Sequence, residues 1–326
     1  MLTAAIGGIA AGRIGLGCFA LSGGYGPADR GQAASVILGA LDAGVTLFDT
    51  SDAYAAGENE RLLGEALAGR RDEAVIATKF GWVLDGAGRP VRLDSTPAHV
   101  RAACHASLRR LGTDRIDVYI QHRVDPETPI EETAGELARL RAEGKIREAG
   151  LSEAALATIR RARAVTPIAT LQTEYSLWSR EPEAELLPAC REMGIAFMAY
   201  SPLGRGFLTG AIRTVDDLTQ DDFRRGNPRF TGESIAANRP LVESLAGLGR
   251  ELGASPSQLA LAWLLSRSEN VIPIPSTRRL PHLLENLKAL DLELSPSQLD
   301  AVAQAVDASR VSGERHPAEH RPTLDR

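Results

Sequence analysis

Four titratable side chains lie at or just beyond the ends of apolar, strand-like runs. Asp49 follows VTLF and Tyr54 lies just beyond it, while Lys79 follows AVIAT and His122 follows DVYIQ. Taken singly, each has an ordinary structural explanation, such as a helix cap, a half-buried aromatic or a satisfied core histidine. An unpaired charge leaving a buried run costs several kcal/mol, however, so each of these groups needs a partner. We therefore expect them to lie together.

The types of these residues indicate proton transfer. A tyrosine has an ordinary pKa near 10 and is a poor acid at neutral pH, but a neighbouring ammonium favours the phenolate. Lys79 is the ammonium that would lower the pKa of Tyr54, and Asp49 would keep Lys79 charged and in place. His122 would steer the substrate oxygen. The set predicts a tyrosine acid that protonates a carbonyl oxygen while hydride reaches the carbonyl carbon.

A repeated pattern supplies the elements that must position these groups. Amphipathic stretches close on Gly44, Gly112, Gly144 and Gly194, as at helix C-termini, and a short apolar run follows each. With four further runs, at 14–17, 74–80, 167–173 and 271–275, the pattern predicts eight strands alternating with helices. This indicates an α/β fold of the (β/α)₈ TIM barrel type. The alternative is an open doubly wound sheet, which usually carries a glycine-rich phosphate loop after its first strand; Gly7, Gly8, Gly23 and Gly24 flank that strand without forming G-x-G-x-x-G, so the barrel is favoured.

Barrel enzymes carry their chemistry at the C-terminal ends of the strands. The residues at the predicted strand ends are polar: Cys18, Asp49 with Tyr54, Lys79, His122, Ser152 with Glu153, Gln172, Tyr200 with Ser201, and Ser276 with Thr277 and Arg278. The stretch from Leu203 to Pro240 shows no periodicity and is predicted to be a functional loop. Aromatic candidates for the pocket wall are Phe19, Tyr25, Trp82 and Trp178, although core packing is the commoner role for any one of them.

Composition excludes several classes of protein. The chain has 326 residues and a net charge of −5, which favours neither nucleic acid nor an anionic membrane as a partner. Its three cysteines lack metal-ligand spacing, so we expect no metal site and a reducing, cytoplasmic location. No signal peptide or membrane-spanning run is recognised. We predict one domain over 1–326, with a barrel core at about 14–294 and a C-terminal segment at 295–326.

The ordered motifs FDTSDAY, IATKFG, YIQHRVDP, LQTEYSLWSR, AYSPLGRGFLTG and PIPSTRR resemble the aldo-keto reductase superfamily, in particular its bacterial and plant-type single-barrel members. The resemblance runs from about Ile14 to Leu290. It implies that Asp49, Tyr54, Lys79 and His122 form the catalytic tetrad, with Tyr54 as the proton donor. The implied activity is NADPH-dependent reduction of a small aldehyde or ketone to the alcohol.

The resemblance also implies where NADPH lies. The nicotinamide is assigned to Ser152, Gln172 and the stacking ring of Tyr200, and the pyrophosphate to a loop formed by Ser201, Leu203, Gly204 and Arg205. The adenosine 2′-phosphate is assigned to Ser276, Thr277 and Arg278, with Glu285 and Asn286 near the adenine. An arginine favours NADP over NAD because a guanidinium binds a phosphate in bidentate fashion. Arg279 is an alternative to Arg278.

Two departures and two alternatives accompany this interpretation. Glu153 stands where many relatives have asparagine, and Ala55 follows the tyrosine where many have glycine. A hydrolase using Asp49 and Asp52 is disfavoured because paired-carboxylate chemistry needs two acids flanking the bond, and Asp52 is interpreted as part of a turn. The remaining alternative is an NADPH-binding regulatory or redox-sensing subunit with little turnover.

Overall fold

The computed structural model describes residues 3–318 and 323–325. The strands of these residues, in chain order, are β1 (Thr3–Ile6), β2 (Ile9–Gly12), β3 (Leu16–Gly17), β4 (Leu47–Asp49), β5 (Val75–Phe80), β6 (Trp82–Leu84), β7 (Pro90–Leu93), β8 (Ile116–Gln121), β9 (Ile146–Ser152), β10 (Thr170–Glu174), β11 (Ala196–Tyr200) and β12 (Val271–Pro273). Eight of them form one parallel sheet, and the other four form two antiparallel hairpins.

The parallel sheet is a closed barrel. Its strand order is β3, β4, β5, β8, β9, β10, β11 and β12, so neighbours in the sheet follow one another in the chain apart from the β6–β7 hairpin. The first and last strands meet because Gly17 bridges Ser276 in parallel and the Gly15 N–H donates to the Pro273 carbonyl at 3.0 Å. The predicted (β/α)₈ barrel and its eight strands are confirmed.

Helices surround the barrel. They are α1 (Arg30–Asp42), α2 (Glu58–Ala66), α3 (Pro97–Leu111), α4 (Ile130–Ala142), α5 (Leu156–Arg163), α6 (Leu186–Glu192), α7 (Gly232–Leu252), α8 (Pro256–Arg267), α9 (Leu280–Leu287) and α10 (Pro296–Ala305). Three of them begin at hydroxyl caps that precede a proline, Thr96, Ser255 and Ser295, and each cap accepts a hydrogen bond from the N–H three residues further on. The four predicted glycine stops all have φ between 62° and 86°. Local sequence signals therefore set these helix ends.

The interior of the barrel is apolar and is closed at its N-terminal end by a hairpin that the sequence analysis did not predict. Ile6 and Ile9 of the β1–β2 hairpin pack in one cluster with strand residues such as Leu47, Val118 and Ile272. The hairpin strands are four residues long and rich in alanine, so they carry little β signal of their own. Burial against the barrel floor stabilises them instead.

The predicted irregular stretch is shorter than expected. Short 3₁₀ turns occupy Gly204–Thr209, Val215–Asp217, Phe223–Gly226 and Pro228–Phe230, but α7 begins at Gly232 and contains Pro240. The prediction of a loop through Pro240 was therefore wrong over its last part. Proline costs the helix one hydrogen bond, and burial of Ile235, Leu241 and Leu245 offsets this loss.

No helix among the described residues is both long and apolar enough to cross a lipid bilayer. After the barrel strands, α10 packs on α7 and α8. The assignment of 1–326 to a single domain stays a prediction.

Helix α2 approaches α3 closely at Gly64, and this contact predicts a stability change. A Cβ at Gly64 would overlap the backbone carbonyl of Leu111, which no rotamer can relieve. We expect Gly64→Ala to lower the free energy of unfolding by roughly 2–3 kcal/mol in urea denaturation. Gly135→Ala is the matched control, because a Cβ there meets nothing within 4 Å. It should stabilise the protein by about 0.5–1 kcal/mol, and equal effects of the two would contradict the packing argument.

Candidate active site

Parallel strand register brings the four predicted catalytic residues to one end of the barrel. Asp49 is the last residue of β4, Lys79 lies near the end of β5, and His122 directly follows β8. These three strands are neighbours, with Asp49 paired to Ala77 and Lys79 paired to Ile120. Tyr54 begins the 3₁₀ turn Tyr54–Gly57 beyond β4. Residues remote in sequence thus converge because parallel strands end at the same rim.

A fully buried lysine holds the site together. Lys79 Nζ donates to Asp49 Oδ2 at 2.8 Å, to the Thr50 carbonyl at 2.7 Å and to the Tyr54 phenol oxygen at 3.2 Å. Burial by itself lowers the pKa of Lys79, but the attraction of Asp49 and then Tyr54 outweighs it, and the pKa is raised. Gln172 donates to the other Asp49 oxygen at 2.7 Å. Lys79 therefore stays charged, and all three of its N–H bonds have partners.

The net pKa shift of Tyr54 runs opposite to the sequence-based expectation. Burial raises the pKa of Tyr54 by more than the Lys79 ammonium lowers it, so the pKa lies above its ordinary value. The expected lowering of the Tyr54 pKa was therefore wrong. The same packing that brings Lys79 close to the phenol also removes water from it. Since Lys79 donates to the phenol oxygen, the hydroxyl proton remains free for another acceptor.

His122 is neutral and stands beside the phenol. Its ring centroid lies 6.0 Å from that of Tyr54, and its Nδ1 is 3.2 Å from Ser51 Oγ. Burial, Arg123 and Lys79 hold the pKa of His122 well below its ordinary value. A neutral imidazole donates from one nitrogen only, so its tautomer decides what it can offer a substrate.

A cavity of about 1480 Å³ opens above these side chains. Its wall includes most of the predicted site residues: Asp49, Tyr54, His122, Ser152, Gln172, Tyr200, Ser201, Leu203, Arg205, Ser276, Thr277, Arg278, Glu285 and Asn286. Lys79 lies beneath this wall, fully buried. Gly204 lies behind it against Trp178, where a Cβ would come within 2.7 Å of the indole. The structure therefore groups the residues that the sequence analysis assigned to one site.

The wall also contains residues with no predicted role. Arg123 follows His122 and faces the cavity, and Arg224 and Phe223 reach it from the loop after β11. Of the aromatic candidates, Phe19, Tyr25 and Trp82 line the cavity. Trp178 is instead buried and stacked on Phe207 at a centroid distance of 5.1 Å, as a core residue. No sequence pattern distinguishes these cases, since loop packing decides them.

Glu153, unlike its neighbour Ser152, is not among the residues that line the cavity. It has a φ of 52° and accepts from the Tyr200 hydroxyl at 2.8 Å and from Arg315 at 2.6 Å. Burial raises the pKa of Glu153, but Arg315 and Arg123 outweigh this effect, and the pKa is lowered. The carboxylate therefore holds the Tyr200 ring in place through the phenolic hydroxyl. Its partner, Arg315, lies in a polar C-terminal segment that carried no sequence signal.

The C-terminal segment contributes to the cavity. His316, Thr323 and Leu324 belong to its wall, and Asp325 Oδ2 accepts from the Ala155 N–H at 3.0 Å. This end of the chain thus lies against the loop after β9.

A second buried carboxylate anchors the loop after β11. Arg205 Nη2 lies 3.3 Å from Glu174 Oε2, and Arg229 Nη1 lies 3.5 Å from Oε1. Burial raises the pKa of Glu174, but Arg205 and other arginines lower it more strongly, to about 2. Arg205 Nη1 is buried without a hydrogen-bond partner among the described residues. A buried, unsatisfied guanidinium N–H on a cavity wall is suited to binding an anion.

Comparison with known proteins agrees with the fold. The model of the Aldo/keto reductase family matches residues 13–307. A probable aldo-keto reductase 1 of Glycine max is 43% identical over 307 residues, 93% of this chain and 88% of that protein.

Solved structures give the same picture. The glycerol dehydrogenase of Gluconobacter oxydans superposes with a TM-score of 0.85 at 31% identity, covering 97% of this chain and 98% of that one. An aldo/keto reductase of Klebsiella pneumoniae, in complex with NADP and acetate, superposes with a TM-score of 0.71 at 29% identity, covering 97% and 95%. The chain belongs to the aldo/keto reductase family of oxidoreductases.

The buried pair formed by Lys79 and Asp49 predicts unequal effects of single and double substitutions. Lys79→Met leaves the Asp49 carboxylate buried without its cation, so we expect a loss of about 3 kcal/mol in the free energy of unfolding. The double variant Asp49→Asn, Lys79→Met contains no unpaired charge and should lose less. Urea denaturation at pH 7 compares the two. Equal losses in the free energy of unfolding would show that the buried Asp49 carboxylate does not depend on the Lys79 ammonium.

Proposed function

We propose that this protein reduces the carbonyl group of a small aldehyde or ketone to the alcohol, using NADPH, with Tyr54 as the proton donor. The observation that carries the proposal is the contact of one buried ammonium, Lys79 Nζ, with both Asp49 at 2.8 Å and the Tyr54 phenol oxygen at 3.2 Å. Tyr54 and His122 face the same cavity. Membership of an oxidoreductase family supports the reaction type.

The residues of the cavity fit the proposed cofactor. Ser152 and Gln172 offer polar groups to the cavity that Tyr54 lines, and Tyr200 offers a ring whose hydroxyl donates to Glu153. The unsatisfied Arg205 guanidinium would take a pyrophosphate oxygen, together with the loop formed by Ser201, Leu203 and Gly204. Two similar solved structures, both of aldo-keto reductases from Klebsiella pneumoniae, are complexes with NADP or NADPH, which supports this assignment.

The far end of the cavity would hold the adenosine. Ser276, Thr277 and Arg278 are proposed to bind the 2′-phosphate, and Glu285 and Asn286 are proposed to lie near the adenine; all five are in the cavity wall. Arg278 is favoured over Arg279 because it is half-buried and its guanidinium is held by the Pro27 carbonyl, whereas Arg279 is exposed. A positioned guanidinium loses less conformational entropy when it binds a phosphate.

The mechanism follows from the protein groups. The hydride for the carbonyl carbon would come from NADPH bound in the cavity. Tyr54 donates its phenolic proton to the carbonyl oxygen, and Lys79 stabilises the phenolate that remains. Asp49 keeps Lys79 charged. His122, which is neutral, orients the carbonyl oxygen by hydrogen bonding, and the apolar residues of the wall exclude water.

The alternatives receive less support. Asp49 cannot act as one of two hydrolytic acids because both its oxygens are engaged by Lys79 and Gln172. A regulatory subunit without turnover would not require Tyr54 and His122 to face an open cavity. Three buried free cysteines, Cys18, Cys104 and Cys190, fit the proposed cytoplasmic location. The proposed partner is a small carbonyl substrate.

Substitution of the proposed acid tests the reaction. Tyr54→Phe keeps the ring but removes the proton, so we expect kcat to fall by about 10²–10⁴-fold with a panel of small aldehydes. NADPH binding, measured by quenching of tryptophan fluorescence, should change little. Turnover that survives the substitution would refute the assignment of the acid.

Cofactor choice is tested at the two adjacent arginines. Arg278→Ala should raise the KM for NADPH at least about tenfold while leaving the KM for NADH nearly unchanged, because only NADPH carries the 2′-phosphate. Arg279→Ala is the matched control and should affect neither strongly. The reverse result would assign the phosphate to Arg279, and equal effects on both cofactors would contradict the role.

A further inference from the structure

A short polar chain lies behind His122, on the side away from the cavity. Asp52 Oδ1 is 3.2 Å from Ser51 Oγ, and Ser51 Oγ is 3.2 Å from His122 Nδ1. Ser51 is fully buried, and its oxygen also accepts from the Ala53 N–H at 3.1 Å. The other ring nitrogen, Nε2, has no hydrogen-bond partner among the described residues, and His122 lines the cavity. Nε2 is therefore the atom available to a substrate.

We propose that Ser51 and Asp52 are positioning residues that set the tautomer of His122, and through it the ability of Nε2 to donate a hydrogen bond to the substrate oxygen. This inference rests on the proposed carbonyl reduction and adds to it a control of the same site. Asp52, interpreted from the sequence as part of a turn, thus gains a second role.

The single hydroxyl proton of Ser51 makes the control possible. When Asp52 is protonated, its O–H donates to Ser51 Oγ, and Ser51 donates to His122 Nδ1. The neutral ring then carries its proton on Nε2, which can donate to a carbonyl oxygen. Ser51 Oγ accepts two hydrogen bonds, from Asp52 and Ala53, and donates one, so its capacity is filled.

Ionisation of Asp52 reverses the direction of the hydrogen bonds that link Asp52, Ser51 and His122. A carboxylate accepts the Ser51 proton in a charge-assisted hydrogen bond, which is stronger than a bond to imidazole. Ser51 Oγ then accepts from Ala53 and from Nδ1–H of His122, and again its capacity is filled. The ring proton now lies on Nδ1, and the lone pair of Nε2 faces the cavity. Such a ring repels a carbonyl oxygen instead of binding it.

The surroundings of Asp52 place this change in an accessible pH range. Burial, followed by the nearby Glu60 carboxylate, raises the pKa of Asp52 to about 7, although Arg110 acts in the opposite direction. The pKa values of Tyr54 and Tyr119 are raised above 10, and that of His122 lies well below 6.5. These shifts move the titrations of Tyr54, Tyr119 and His122 away from neutral pH. As pH rises through about 7, Asp52 loses its proton and the donating tautomer of His122 should be lost.

Kinetics of the holoenzyme test the chain. For the wild type, kcat/KM for reduction of an aldehyde such as 4-nitrobenzaldehyde should fall about tenfold between pH 6 and pH 8.5, the effect of one lost hydrogen-bond donor. Asp52→Asn is nearly isosteric, and its amide N–H donates to Ser51 at every pH. The inflection near pH 7 should therefore vanish in Asp52→Asn. Ser51→Ala removes the hydroxyl that links Asp52 to His122. It should also lack the inflection and should have a lower kcat/KM at pH 6.

The tautomer itself can be observed without turnover. In ¹⁵N-labelled protein saturated with NADP⁺, the ring signals of His122, identified by their absence in His122→Gln, should report Nε2–H at pH 6 and Nδ1–H at pH 8.5. Asp52→Asn should report Nε2–H at both. A His122 tautomer that does not change with pH in the wild type would overturn the inference. So would an inflection in the pH profile of kcat/KM that persists in Asp52→Asn. Absence of aldehyde reduction at any pH would instead refute the proposed function, and the NMR titration would still decide the role of Ser51 and Asp52.

Discussion

One buried ammonium constrains the whole active end of the barrel. Lys79 is fully buried, and its charge is tolerated because Asp49, the Thr50 carbonyl and the Tyr54 phenol take its three N–H bonds. A charge in such a place without partners would be strongly destabilising. The ends of β4 and β5 and the turn bearing Tyr54 must therefore keep their relative positions for the protein to be stable. Stability and preorganisation of the site depend on the same contacts.

A second set of buried charges fixes the loops around the cavity. Glu174 holds Arg205 and Arg229 of the loop after β11, and Glu153 holds Arg315 of the C-terminal segment. The folded-state pKa of Glu174 is depressed to about 2, so its pairs contribute stability above the ordinary pKa of a glutamate. That contribution is lost as pH falls toward 2. Over the pH range in which the enzyme would work, these loops stay anchored.

Tyr54, His122 and Asp52 lie close together, but their different surroundings shift their pKa values differently and so give them different roles. Burial outweighs the ammonium at Tyr54 and keeps the phenol protonated, while burial and two cations keep His122 neutral. Asp52, half-buried beside Glu60, has its pKa raised to about 7 by burial and by the Glu60 carboxylate. An acid that stays protonated and an imidazole that stays neutral suit the donation of hydrogen bonds to a carbonyl oxygen.

The sequence by itself determined the eight strands, several helix ends and the residues that meet at the barrel mouth, because these depend on periodicity, on caps and on the common direction of parallel strands. It did not determine the β1–β2 hairpin or the length of α7, because tertiary burial stabilises both. It gave no signal for Arg315, since its ion pair with Glu153 forms only through the folded C-terminal segment. The direction of the Tyr54 pKa shift also required the tertiary structure, because it is a balance between burial and charge that neighbours remote in sequence create.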